Sequence, residues 1–218
     1  MELIKHTRSR DRLATPVASA LDTAVATTGS TRILDVACGR NKTAGAIGVD
    51  LFPVPGVDVI ANIDQASLPF GDASFDAIHA SHVIEHVQSI PHLLSEMWRV
   101  AKPGAVVYLA TPHYSWHGSW VDPTHRWHLS TRSFTYFTEG HSSAHYTQAR
   151  YSSVLVTLSM PSLWRRLGLQ WLLNLETRRR GCRFIRRFWE EYLAFVIRAK
   201  EMRAVLTVAK PATIGEQR

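Results

Sequence analysis

The sequence predicts a single α/β domain built on a doubly wound sheet, and three observations carry that expectation. Short apolar runs, rich in Val and Ile, recur between residues 30 and 110 and end in small or acidic residues. Runs of this kind suit strands covered on both faces. Stretches with apolar residues at helical spacing alternate with them, as crossovers do in a layered sheet. The chain has 218 residues, 45% hydrophobic and 20% charged, which matches one ordinary globular core spanning 1–218.

The elements follow in order. Leu13, Val17, Leu21 and Val25 form an i, i+4 stripe, with Thr15 as cap, Pro16 in the first turn and Gly29 as stop; this predicts an N-terminal helix over 13–28. Arg32 to Ala37 reads as the first strand, running into the small-residue turn Ala37-Cys38-Gly39. Ala46 to Asp50, Val57 to Ala61 and Phe75 to Ala80 read as the next three. Only about eight residues separate the first two strands, whereas a parallel connection normally takes about a dozen. A shortened connection without its helix is therefore expected there.

A helix from about Ser89 to Val100 turns Leu93, Leu94, Met97 and Val100 inward and ends at Lys102-Pro103-Gly104. Ala105 to Ala110 is the fifth strand. A short helix over Thr131 to Glu139 has Ser130 as cap and Gly140 as stop. Ser152 to Leu158 and Arg203 to Ala209 are the last two strands. Between them, over 160–201, lies a helical insertion where a hairpin would suffice. It reads as two amphipathic helices, with Trp164, Leu167, Trp171 and Leu175, then Phe184, Phe188, Tyr192 and Phe195 as apolar stripes. The stripes are expected to pack on the sheet edge; a lid or a homodimer surface is the alternative use.

The net charge of +7 is unevenly placed: between Arg165 and Arg203 there are 11 Lys/Arg against 4 Asp/Glu. The basic character belongs to that segment, which argues against general nucleic-acid binding. The N-terminus is polar and no apolar run is long enough to cross a bilayer. Two cysteines, Cys38 and Cys182, are too few for a disulfide framework. A reducing, cytoplasmic location is expected, with Cys38 as a small packing residue rather than a nucleophile.

Three carboxylates stand at strand ends: Asp35, Asp50 and Asp64. Open α/β sheets bind ligands outside the carboxyl ends of their strands, where the strand order reverses. A carboxylate ending the second strand accepts from both hydroxyls of a ribose. One after the third strand accepts from an adenine amine, and one near the first complements an ammonium group, which dinucleotides lack.

Leu34-Asp35-Val36-Ala37-Cys38-Gly39 resembles motif I of the class I S-adenosylmethionine-dependent methyltransferases. The run from Leu68 to Asp76, the segment Ser81 to His86 after the fourth strand, and Arg99 to Gly104 resemble further motifs of that family, collinear over 30–115. The resemblance implies a Rossmann-like domain with an antiparallel last strand and S-adenosylmethionine as cofactor. It implies cofactor contacts from Asp35, Ala37 and Gly39, from Asp50 and Leu51, from Ile63, Asp64 and Gln65, and from Ser81 and His82. Ala37 and Asn41 depart from the family by standing where glycine is usual. The turn Cys38-Gly39-Arg40-Asn41-Lys42 is similar to that of a subset which shares the short connection.

Histidine forms the second cluster. Ten of the eleven histidines fall between His79 and His145, six of them from His113 onward, in a loop region over 111–145 that also carries Trp116, Trp120 and Trp127. Aromatic faces with imidazole and hydroxyl partners suit sugars and other polyhydroxylated acceptors. An alcohol is a poor nucleophile until deprotonated, and histidine is a suitable base near neutral pH. His113, His117 and His125 are the candidate bases, with Asp122 orienting one of them or holding the acceptor; each alone also reads as a hydrogen-bonded loop histidine. No Cys pair accompanies them, so a closed zinc site is not expected. Mg²⁺ held by Glu85 and Asp122, clamping two acceptor oxygens, is the metal alternative.

The expected activity is O-methylation of a small molecule or oligosaccharide. Pro112-His113 and Asp122-Pro123-Thr124-His125 resemble the methyltransferases of bacterial sugar and polysaccharide pathways, those acting on mannosides among them. Two alternatives stand beside it. One is an N-methyltransferase on RNA or DNA, suggested by Arg178-Arg179-Arg180 and Arg186-Arg187 but lacking the Pro-Pro turn after the fourth strand. The other is a catalytically silent partner subunit. A membrane-surface role for the Arg/Trp helices is a further use of the insertion.

Overall fold

The computed structural model describes residues 31–142, 147–177 and 182–210. Its strands are β1 (Ile33–Val36), β2 (Ile47–Asp50), β3 (Val59–Ile60), β4 (Phe75–Ser81), β5 (Ala101–Pro112), β6 (Arg150–Ser159) and β7 (Glu201–Ala209). They form one seven-stranded sheet in the order β3-β2-β1-β4-β5-β7-β6. β1 to β5 are parallel, and β7 runs antiparallel between β5 and β6. The order reverses between β1 and β4, so the carboxyl ends of these strands border the natural ligand crevice. The expected fold class holds, including the antiparallel last strand.

β1 and β2 pair directly, Leu34 opposite Ile47 and Val36 opposite Val49, although no helix lies between them. Leu34, Val36, Ile78, Val107, Leu109 and Leu206 fill the centre of the sheet and are fully buried. Helix α1 (Ile90–Val100) covers them with Leu93, Leu94, Met97 and Val100. Ser89 starts it as foreseen: its side chain accepts from the His92 N–H at 3.2 Å, and Pro91 needs no donor in the first turn. The Tyr151 hydroxyl donates to Leu94 O at 2.8 Å, and Trp98 Nε1 donates to Ala209 O at 2.8 Å. These two bonds fasten α1 to β6 and β7.

The second short helix is instead a 3₁₀ turn, Ser133–Phe137, without a side-chain cap. Ser130 Oγ accepts from the Arg132 N–H, and the Ser130 N–H donates to Ser133 Oγ, so the serines close a turn ahead of it. Upstream, Gly118–Val121 forms a one-turn helix, α2, that sequence periodicity did not signal. The helix expected over 13–28 lies outside the described residues.

The insertion is shorter-jointed than its amphipathic pattern suggests. It comprises α3 (Ser162–Arg166), α4 (Leu169–Leu173), a 3₁₀ turn (Leu175–Thr177), α5 (Arg183–Phe188) and a π-helical turn (Trp189–Leu193). Gly168, at φ +76°, breaks the first helix where a side chain would be strained. Asn174 then leaves the helical pattern to pair with edge strand β6, accepting from the Leu158 N–H and donating to Leu158 O, both at 2.8 Å. Gln170 Oε1 accepts from the Met160 N–H at 2.9 Å. An open strand edge is thereby covered. Buried Arg186 donates to Leu173 O and Val156 O, each at 2.9 Å. The expected packing on the sheet edge describes one face only. Leu167, Trp171, Phe184, Tyr192 and Phe195 lie on the other side and are each more than 60% exposed. Among the described residues, no helix is long and apolar enough to cross a membrane.

Candidate functional site

The carboxyl ends of β1, β2 and β3 form one half of the site. The turn after β1 folds back over β2: a Cβ added at Gly48 would stand 2.6 Å from both Cys38 Sγ and Lys42 Cδ. Asp58 Oδ2 accepts from the Gly48 N–H and the Lys42 ammonium, each at 2.7 Å, and locks this arrangement. Cys38 is buried, and burial pushes its thiol pKa up, in keeping with a packing role. Asp50 Oδ2 accepts from the Gly39 N–H at 2.9 Å and Oδ1 from the Phe52 N–H at 3.0 Å. Each oxygen has a second lone pair for a diol. Leu51, Phe52 and Ile60 lie open beside it. A carboxylate flanked by uncovered apolar side chains suits a nucleoside, with ribose on the first and base on the second. After β3, Asp64 Oδ1 accepts from the Gln88 N–H at 2.8 Å, with half-buried Ile63 and exposed Gln65 on either side.

Asp35 stands near the carboxyl end of β1 as expected, but its side chain is enclosed. It is only 3% exposed, with Oδ2 accepting from the Thr43 N–H at 2.6 Å and Oδ1 facing His79 Nδ1 at 3.2 Å. Burial works to raise its pKa, but the His79 and Thr43 hydrogen bonds outweigh that and hold it below the usual carboxylate range. Asp35 pins the turn and supplies a fixed negative charge beneath it, rather than an open acceptor for an ammonium group.

Ala37 occupies the left-handed region, φ +54°, where the family usually carries glycine. That conformation costs an alanine roughly 1–2 kcal/mol, and the extra freedom of an unfolded glycine takes back about 0.4–1 kcal/mol. Ala37→Gly is therefore expected to leave stability unchanged or raise the melting temperature by a few degrees, with no loss of nucleoside affinity. A clear drop in melting temperature would count against stored strain at this turn.

The carboxyl ends of β4 and β5 form the other half. Beyond Ser81, His82 sits at φ +56°, and its ring bridges Glu201 Oε2 at 3.3 Å and Glu85 Oε1 at 3.1 Å. Hydrogen bonds to Glu201 and then Glu85 push its pKa up to about 9. The side chain expected to touch the cofactor is thus engaged as a cation between two carboxylates. Glu85 is almost fully buried, and its Oε2 meets no donor among the described residues. The Glu85 carbonyl accepts from the backbone amides of Arg126 and Trp127, at 2.7 and 3.2 Å, which docks the loop after β5 against the exit of β4.

This docking assembles the candidate acceptor residues. The rings of His86 and His125 meet at 4.6 Å between centroids. His125 Nδ1 donates to Ser119 O at 2.9 Å, and its Nε2 stands 3.9 Å from Asp122 Oδ2. Asp122 Oδ1 accepts from the Thr124 hydroxyl at 2.7 Å and the Thr124 N–H at 2.8 Å, which hold it below the usual carboxylate range. Trp120, stacked on His128 at 3.5 Å, and Trp127 are exposed nearby in the same loop.

The other two candidate bases separate from this group. His113 is fully buried, and both of its nitrogens are used. Nδ1 accepts from Ser115, whose Oγ lies at 2.8 Å and whose N–H lies at 3.3 Å, while Nε2 donates to Glu190 Oε1 at 3.2 Å. His113 is a structural histidine, not a base. His117 is exposed, immediately ahead of α2, with its ring against Trp116 at 4.3 Å.

Glu190, from the insertion, was not foreseen, because the acidic pair Glu190-Glu191 within a basic amphipathic run carries no signal of which side chain turns inward. The π-helical turn points it inward, where Oε1 accepts from the Thr131 N–H and Oε2 from the Thr131 hydroxyl, each at 2.8 Å. The Tyr114 hydroxyl donates to the Glu190 carbonyl at 2.6 Å. One residue therefore holds both ends of the acceptor loop. Burial works to raise the Glu190 pKa, but the hydrogen bonds from His113 and Thr131 outweigh it and hold the carboxyl below its usual range. A depressed carboxyl pKa contributes stability above its unfolded value and loses it as pH falls through the folded one. Glu190→Gln is expected to cost roughly 1.5–3 kcal/mol at pH 7, with the gap to wild type closing below pH 4.5. Denaturant midpoints across pH test this; a gap that stays constant to pH 3 would refute it.

A family model for the methyltransferase domain matches residues 7–194. The 2-phytyl-1,4-naphtoquinone methyltransferase of Nostoc punctiforme is 35% identical over 81 residues, covering 37% of this chain and 35% of that protein. The demethylmenaquinone methyltransferase of Renibacterium salmoninarum is 33% identical over 96 residues, covering 36% of this chain and 40% of that protein. The matches thus span well under half the length of these relatives. Among solved structures, a SAM-dependent methyltransferase from Archaeoglobus fulgidus has a TM-score of 0.57 at 16% identity, covering 87% of this chain and 91% of that one. Haemonchus contortus phosphoethanolamine N-methyltransferase 2, in complex with S-adenosyl-L-methionine, has a TM-score of 0.54 at 13% identity, covering 89% and 52%. At these identities the structural likeness speaks for the fold. The chain belongs to the methyltransferase domain family, and its fold is that of the class I S-adenosylmethionine-dependent enzymes.

Proposed function

We propose that the chain transfers a methyl group from S-adenosylmethionine to a hydroxyl of a small polyhydroxylated acceptor, a sugar or oligosaccharide, mannosides among them. One observation carries the reading: Glu85 and His86, from the exit of β4, converge with His125, from the loop after β5 that also carries Asp122 and two exposed indoles. Bound at the carboxyl ends of β1–β3, S-adenosylmethionine supplies an electrophilic methyl group. The chain's own task is then to hold an alcohol and draw off its proton.

His125 is oriented for that task. Ser119 O fixes the proton on Nδ1, so Nε2 presents a lone pair, and Asp122 beside it offsets the charge of a protonated ring. Trp120 and Trp127 offer faces for the C–H side of a sugar. A second reading, methylation of a quinone-type ring, is favoured by the names of the matched relatives. Incubation with methyl-labelled cofactor and two panels, short mannosides and demethylated naphthoquinones, distinguishes them. Label in an alkali-stable methyl ether of a glycoside is expected; label only in the naphthoquinone panel would replace the proposal.

A further inference from the structure

The acceptor cluster holds more than a base. One donor atom each from Glu85, His86 and His125 lies within 4.8 Å of the others. The two imidazole tautomers follow from their partners. A carbonyl only accepts, so His125 Nδ1 carries its hydrogen toward Ser119 O. Thr124 Oγ1 donates to Asp122 Oδ1 at 2.7 Å, so His86 Nδ1, 2.9 Å from that hydroxyl, must donate to it. Both rings therefore have a bare Nε2. Each Nδ1 is held by an oxygen in the manner that orients metal-bound histidines.

Glu85 supplies the independent observation. It is 1% exposed, its Oε1 is taken by His82, and its Oε2 has no donor among the described residues. A buried carboxylate oxygen left without a partner is costly. A cation shared with two imidazole lone pairs removes that cost at once.

We infer that Glu85, His86 and His125 form a binding site for a divalent transition-metal ion of the Zn²⁺ or Co²⁺ class. Bonds of about 2.0–2.2 Å draw the donor atoms closer than they stand here, through small side-chain rotations. Three protein ligands leave a coordination position for an acceptor hydroxyl, whose pKa the ion lowers. With the ion on Nε2, His125 holds the ion, and the hydroxyl proton passes by way of the exposed Asp122 carboxylate, 3.9 Å from Nε2, to solvent, in place of the direct transfer to His125 described above. This role in transfer rests on the hydroxyl acceptor proposed above; ion binding does not.

The test uses the full chain without an affinity tag, stripped with chelator and titrated with Co²⁺. Wild type is expected to develop visible d–d absorption saturating at one ion per chain. Glu85→Gln and His86→Ala are each expected to weaken binding by at least about tenfold while keeping the wild-type circular dichroism spectrum. Absence of d–d absorption in wild type, or equal binding in wild type and His86→Ala, overturns the inference. Methyl transfer to glycosides at full rate in the metal-free protein also overturns the ion's role and leaves the hydroxyl acceptor standing. One bound ion with no glycoside methylated removes the acceptor reading and leaves the site.

Discussion

His125→Ala is expected to lower methyl transfer by about 10²-fold or more while leaving S-adenosylhomocysteine affinity unchanged. The separation follows from where the ring is anchored. His125 is held by the carbonyl of Ser119 in α2, and its loop is held by the Glu85 carbonyl through Arg126 and Trp127. None of these contacts involves the turn after β1 or the end of β2, so removing the imidazole leaves the nucleoside edge intact. The other loop histidines serve as controls. His117→Ala, on an exposed side chain, should change little. His113→Ala should lower stability, because it strips a buried partner from Glu190. Rate constants and calorimetric affinities for the three variants decide the matter. Equal loss of turnover and cofactor affinity in His125→Ala would contradict the division into two half-sites.

Asp50→Ala is expected to weaken S-adenosylhomocysteine binding by about 10- to 100-fold, since hydrogen bonds to a charged group contribute roughly 1.5–3 kcal/mol each. Two effects combine. The ribose loses its acceptor, and the amides of Gly39 and Phe52 lose the carboxylate that shapes the turn. Asp50→Asn separates them, because its single oxygen retains one acceptor at nearly the same size. An intermediate affinity is expected from it. Wild-type affinity in both variants would mean that the nucleoside does not lie at β2.

Most of the sheet could be read from the sequence because its strands are buried on both faces and end at recognisable turns. The short β1–β2 connection was equally legible, as chain length alone rules out a helix there. The insertion was misread in its joints: the helical spacing of Leu167, Trp171 and Leu175 is real, but Gly168 and the tie from Asn174 to β6 override it. Asp50 ends β2 as expected, and Asp64 follows β3, in a turn four residues beyond its last strand residue. Asp35 also stands where expected in β1, but opposite His79 in β4, whose ring faces its carboxylate.

The histidine cluster was legible in composition but not in geometry. Spacing in a loop says nothing of burial, so His113 and His125 looked alike, although one closes a buried network with Glu190 and the other faces Asp122. His86 went unassigned for a similar reason. Only the docking of the Glu85 carbonyl onto the amides of Arg126 and Trp127 brings it to His125.

The central claim is that one crevice holds a nucleoside at β1–β3 and presents its reactive end to the Glu85–His125 cluster. A crystal structure of the chain with S-adenosylhomocysteine measures this directly. The ribose hydroxyls should lie within hydrogen-bond distance of Asp50, with the thioether sulfur turned toward the cluster beyond β4. A ligand bound elsewhere, or one whose sulfur faces away from His125, would contradict it.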